Sequence, residues 1–89
     1  MAIISLPTKR FWKCYWNLPG KIRTLADNSY KLWKEDPFHP SLKFEEIRPD
    51  IWRIKIGYRY RAIAKRYDNS VVWMWIGSHE DYNKLLGRV

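Results

Sequence analysis

The chain is poor in the residues that covalent and metal cross-links require. It has one cysteine, Cys14, and two histidines, His39 and His79, in 89 residues. A single thiol excludes an internal disulfide and a cysteine-based metal site, and it fits a reducing compartment. Long apolar runs are missing too. The opening MAIISLPTKRF has a short apolar start before Pro7 and no basic residue ahead of it, too little for a signal peptide or a membrane span. No repeat, low-complexity stretch or linker divides the chain, so a single cytoplasmic domain over 1–89 is expected. Acidic residues are scarce as well. Seventeen Lys and Arg stand against nine Asp and Glu, a net charge of +8, which points to a polyanionic partner. Nucleic acid, an acidic protein and an anionic membrane surface all fit that balance.

What is plentiful is aromatic. Six Trp in so short a chain supply core area that a small domain otherwise lacks. The stretch PTKRFWKCYWNLPGK predicts a short helix with Thr8 at its N-cap, ended by Leu18-Pro19-Gly20. A second helix is expected from Pro19 or Gly20 to about Lys34, with Ile22, Leu25, Ala26, Ser29, Leu32 and Trp33 as one stripe. Two prolines, Pro37 and Pro40, stop it, and His39 between them reads as a loop-packing residue. From Lys43 the period becomes two. KFEEI, IWRIKIG, YRYRAIAKRYD and VVWMWIG read as strands, and HEDYNKLL as a final helix or turn. The expected fold is α+β: an N-terminal helical hairpin packed on a three- to four-stranded antiparallel sheet, with a short C-terminal helix.

Two stretches carry chemistry. WRIKIGYRYRAIAKR, residues 52–66, holds six basic residues and no acidic one. Arg53, Lys55, Arg59, Arg61 and Lys65 fall on odd positions, so a continuous alternation puts Arg53, Lys55 and Arg61 on one face and Trp52, Ile54 and Ile56 on the other. Such a face is either a solvated surface or a cradle for a phosphate backbone, and charge of a single sign favours the cradle. A turn at Gly57-Tyr58 is the point where the alternation could reset. The second stretch, GSHEDYNKLL, sets His79 just beyond an apolar strand. Histidine is the side chain suited to moving protons near neutral pH. The plain alternative is that Ser78 or His79 caps a helix whose dipole Asp81 complements.

HPSLKFEEI, IWRIKI, YRYRAI and WIGSHEDYNKLL, in that order, resemble the RelE/ParE superfamily of bacterial type II toxin–antitoxin toxins, over about Pro19 to Leu86. The closest resemblance is to the RelE-like branch. It implies a metal-independent endoribonuclease that needs no cofactor, cuts mRNA on the ribosome to inhibit translation, and is neutralised by a cognate antitoxin; neither a membrane nor a metal is implied. Carried over by position, Arg61 matches the arginine that holds the scissile phosphate, and Arg53 and Lys55 the preceding basic pair. His79 falls where a catalytic His or Arg stands, and Tyr82 matches the tail aromatic that stacks on a base or positions the phosphate. Arg59 and Lys65 are expected to bind RNA. Lys55, or Glu46, is the expected general base, and His79 the general acid. ParE-like members inhibit DNA gyrase without catalysis, and that is the alternative. A third reading is a nucleic-acid-binding module using Tyr58, Tyr60 and the basic face.

Overall fold

The computed structural model of the protein describes residues 3–87. Its helices form where the sequence supplies ends as well as faces. Thr8 is extended, and its Oγ1 accepts the Phe11 amide at 3.1 Å, satisfying one of the free donors at the start of α1, Lys9–Trp16. After the break at Asn17–Pro19, α2 runs Gly20–Glu35. Ala26 and Trp33 of its stripe are buried, and Ile22 and Leu32 pack against the core. α1 buries only part of its aromatic surface: Phe11 and Tyr15 lie on the core while Trp12 and Trp16 are exposed. The helices are tied by the Tyr15 hydroxyl, which donates to Asp27 at 2.8 Å. Burial first, and that bond second, push the Tyr15 pKa up.

Beyond α2 the chain passes through a 3-10 turn, Pro40–Leu42, capped by His39, whose Nδ1 accepts the Ser41 amide at 3.2 Å. His39 is a loop residue, as its proline neighbours predict. Four strands follow: β2 Glu45–Arg48, β3 Ile51–Ile56, β4 Tyr60–Tyr67 and β5 Ser70–Ser78. They form the expected antiparallel meander. The α+β class and the final helix also hold, but the sheet has one strand more than the alternation predicts. β1, Ile4–Pro7, lies parallel to β5, with Ile4 opposite Ser70 and Pro7 opposite Trp73. The order is β1-β5-β4-β3-β2, so the sheet is mixed and its centre is β4. Four residues ending in proline carry too little pattern to mark a strand. Distant partners hold it instead: Ser5 Oγ accepts the Tyr30 hydroxyl at 2.9 Å and Trp73 Nε1 at 3.0 Å.

The core lies between α1 and α2 and one face of the sheet. Trp33 sits at its middle, edge-on to Trp73 and Phe44 with centroids 5.2 and 5.8 Å away. Its Nε1 has no hydrogen-bond partner. Burying an aromatic of this size gains ~4–6 kcal/mol from its area, against ~1–3 kcal/mol for one unsatisfied donor; the packing wins. The β3–β4 hairpin turns at Gly57, where φ is +58° and a Cβ would lie 2.5 Å from Leu25 Cδ2. Both the dihedral and the close approach of α2 require glycine there.

Ser78 Oγ accepts the Asp81 amide at 3.2 Å and caps α3, His79–Gly87. Glu80 and Asp81 in its first turn and Lys84 in its last complement its dipole. Arg48, on the far edge of the sheet, donates to the Leu86 carbonyl at 2.7 Å. The helix therefore crosses the sheet from the end of β5 toward β2, on the face away from α1 and α2. Beneath it Ile63 and Tyr82 are only 6% and 8% exposed, yet neither belongs to the main core cluster. They form a second, thinner apolar layer. Among the described residues no helix is long and apolar enough to cross a membrane.

Candidate functional site

Register decides which side chains share a face. Lys55 lies opposite Arg61 and Arg53 opposite Ile63, whereas Trp52, Ile54 and Ile56 pair with Ala64, Ala62 and Tyr60. The second group is the core face: Ile54, Ile56, Ala62 and Ala64 are all buried. Arg53, Lys55, Arg61 and Lys65 therefore share the outer face, and the turn at Gly57 leaves the alternation intact. An apolar cavity of about 130 Å³ between α1, α2 and the sheet, lined by Phe11, Tyr15 and Trp73 among others, lies on the wrong side of the sheet to serve these cations.

On its other flank Arg61 pairs with Gly77. The His79 amide donates to the Arg59 carbonyl at 2.6 Å. Lys55, Arg59, Arg61 and the backbone of His79 thus gather at one end of the sheet. Because Ser78 makes the capping bond, the His79 imidazole has no capping role. Arg61 is held against the hairpin turn, its Nη1 donating to the carbonyls of Tyr60 at 2.8 Å and Tyr58 at 3.3 Å. Burial, and then the positive charge of Arg53, hold its guanidinium below the usual arginine pKa, while Tyr82 acts in the opposite sense. Lys55 places Nζ 5.6 Å from the centre of the Tyr58 ring, and Tyr58 is 81% exposed. A cation and an open aromatic face thus stand together at the turn.

Other expected residues lie elsewhere. Lys65 is four residues along β4 from Arg61, about 13 Å at strand rise, with its Nζ over the Tyr67 ring. Arg53 is engaged: its Nη2 meets Glu45 Oε1 at 2.5 Å, the one salt bridge among the described residues. Its Nε is buried without a partner. Glu46 cannot be the base for this cluster. It pairs with Trp52, on the helix face, and its Oε2 accepts the Asp50 amide at 3.0 Å to close the β2–β3 turn. Tyr82 sits close enough to influence Arg61, but it faces the sheet under α3, and a covered ring has no free face for a base. Tyr60 packs on the core, so of the two hairpin tyrosines only Tyr58 projects. Among the described residues no group of three or more His, Cys, Asp or Glu is placed to hold a metal.

Trp75 carries no expectation from the sequence. The pairing of β4 with β5 shifts between Ile63 and Ala64: Ile63 faces Trp75, but Ala64 faces Trp73. That bulge at Met74 sends Trp73 to the core and Trp75 to the outer face, although both numbers are odd. Period-two reading has no means of seeing it.

The ParE-like toxin domain family matches residues 20–84. No curated protein matches. Among solved structures, the chain is similar to the Escherichia coli toxin RelE, a double mutant in the free state, with 21% identity and a TM-score of 0.69 over 100% of this chain and 99% of that one. The RelB–RelE antitoxin–toxin complex from Methanococcus jannaschii gives 17% identity and a TM-score of 0.72, covering 90% of this chain and 96% of that one. The YoeB/ParE toxin from Agrobacterium tumefaciens gives 14% and 0.65, covering 86% and 99%. At these identities the solved structures show a shared fold. The family match spans most of the chain and shows membership: the chain belongs to the ParE-like toxin domain family, within the RelE/ParE superfamily of toxins.

Proposed function

We propose that the protein is the toxin of a type II toxin–antitoxin pair and acts as a metal-independent endoribonuclease on translated mRNA. The observation that carries the reading is the pairing of Lys55 with Arg61 on the outer face, at the sheet end where the His79 amide meets Arg59. Cleavage needs a base for the 2′-OH, positive charge for the phosphorane, and an acid for the departing 5′-oxygen. The 2′-oxygen bonds to phosphorus, the bond from phosphorus to the 5′-oxygen breaks, and a proton passes to that oxygen. Arg61 supplies two-pronged, permanently charged donors for the phosphorane. Lys55, as the neutral amine, takes the 2′-OH proton and becomes the ammonium, and His79, as the imidazolium, gives its proton to the leaving 5′-oxygen and becomes neutral. Arg53, Arg59 and Lys65 hold the RNA strand on either side. The need for a 2′-OH confines the activity to RNA, and a ribosome would supply the orientation that so sparse a site lacks. The M. jannaschii neighbour is an antitoxin–toxin complex, which supports a cognate antitoxin that covers the basic face here.

The test is to express wild type, Arg61→Ala and His79→Ala in growing bacteria and map mRNA 5′ ends. New ends in translated messages are expected from wild type and a loss of at least about 10²-fold from either variant. Intact messages, or equal cutting by all three, would sink the reading. A second reading, gyrase inhibition without catalysis, has in its favour the ParE-like character of the matched domain and the burial of Tyr82. It predicts DNA breaks and replication arrest before any message is lost.

A further inference from the structure

Tyr82 is covered, which leaves the proposed RNA site without its expected stacking ring, and the outer face offers another. The Trp75 indole lies over Gly77: a Cβ at Gly77 would meet its Cζ2 at 2.5 Å and Cη2 at 2.9 Å. Gly77 is in turn the cross-strand partner of Arg61. A flat aromatic is therefore fixed on the flank of the arginine assigned to the phosphate, and no side chain at position 77 competes for the space. Beside it, at the edge of the sheet, runs a groove of about 460 Å³, with Trp75, Gly77, Ser78, Asp81 and Lys84 on one side and Cys14 and the α1–α2 connection, Asn17–Pro19, on the other. It follows the part of β5 that β1 does not reach, because β1 ends opposite Trp73. Backbone donors and acceptors on that edge have no strand partner. An indole, a lysine, a carboxylate and an open strand edge together suit a planar ligand with a polar rim and a nearby negative charge.

We propose that this groove seats one nucleobase of a single-stranded RNA, stacked against Trp75, next to the phosphate held by Arg61. The inference rests on the nuclease reading and assigns its base subsite. Lys84 meets the neighbouring phosphate, and Asp81 with the β5 edge faces the hydrogen-bonding rim of the base. A groove of this size admits a purine or a pyrimidine, so stacking alone gives little choice between bases; any preference arises at the rim.

The probe is a short RNA with 2′-O-methyl riboses, which cannot be cut, carrying 2-aminopurine at successive positions. Wild type should quench the fluorescence at one position. Trp75→Leu should abolish that quench and weaken binding about 5- to 150-fold, the range for loss of one stacked base. Since Trp75→Leu can also disturb the layer around Ile63, a second measurement uses the unaltered protein. A 5-iodouridine at the quenched position should crosslink to Trp75 on irradiation, as mapped by mass spectrometry. Salt-dependent binding without quench at any position overturns the subsite alone. So does a quench that survives Trp75→Leu, or crosslinks confined to Tyr58 or Tyr82. Absence of any binding to the oligonucleotide also overturns the subsite, whereas the nuclease reading falls only with intact messages, or equal cutting by wild type and both variants, in the mapping of mRNA 5′ ends, so the two failures are distinguishable.

Discussion

Arg61 bonds two backbone carbonyls with one terminal nitrogen, Nη1. Its fork is braced from one side against the hairpin turn, and Nη2 and Nε make no hydrogen bond among the described residues. A lysine has three donors on a single nitrogen and no plane, so one bonded to both carbonyls keeps a single donor for a phosphate and no two-pronged face. Arg61→Lys is accordingly expected to keep RNA binding within about threefold while the single-turnover cleavage rate falls about 10- to 100-fold. Equal rates for Arg61→Lys and wild type would show that charge alone suffices and the fork does nothing. That Arg61 and Lys55 share a face was legible in the sequence on the condition that the alternation survives the turn at Gly57-Tyr58; that the turn preserves parity and sets the two residues opposite one another is a property of the pairing between β3 and β4. The exclusion of Glu46 was not legible, because adjacent residues on one strand take opposite faces and the sequence does not reveal which of the two glutamates points outward.

At the scale of elements, what the sequence shows depends on how many residues declare a period. α2 and strands β2 to β5 are long enough, or repeated enough, to show theirs. β1 is not, and its attachment depends on Ser5, an unremarkable residue in a sequence scan. Ser5 Oγ is the acceptor for the indole N–H of Trp73, a ring buried in the core. Ser5→Ala leaves that donor with no partner and also frees the Tyr30 hydroxyl. The expected cost is about 1–3 kcal/mol in urea unfolding, with the near-ultraviolet signal of the tryptophans altered before global unfolding. A loss under about 0.5 kcal/mol would mean that water replaces the serine and that β1 is held by its backbone ladder alone. The bulge at Met74 is the other hidden feature. It is a property of pairing between two strands, so neither strand contains it, and the whole placement of Trp75 follows from it.

Over the whole molecule the positive excess is almost uncompensated, with Arg53–Glu45 the one ion pair among the described residues. Glu45 pairs with Arg53 across β2 and β3, so its carboxylate stands on the face assigned to the phosphate backbone. The pair adds little to stability: Glu45 is 60% exposed, and a pair so open to solvent is worth about 0–1 kcal/mol. Its larger effect is on what approaches. An incoming phosphate must compete with the carboxylate for the terminal nitrogens of Arg53, whose Nε is buried out of its reach. Glu45→Gln should therefore tighten binding of an uncleavable RNA about 3- to 10-fold at low salt. It should also steepen the fall of log affinity with log salt by about 0.7, the increment for one more single-strand phosphate contact. The thermal midpoint should hardly move. In an Arg53→Gln background the same substitution should lose most of its effect, which separates release of Arg53 from a general gain of one positive charge. An equal gain in both backgrounds would mean that only net charge matters and that Arg53 never leaves its carboxylate.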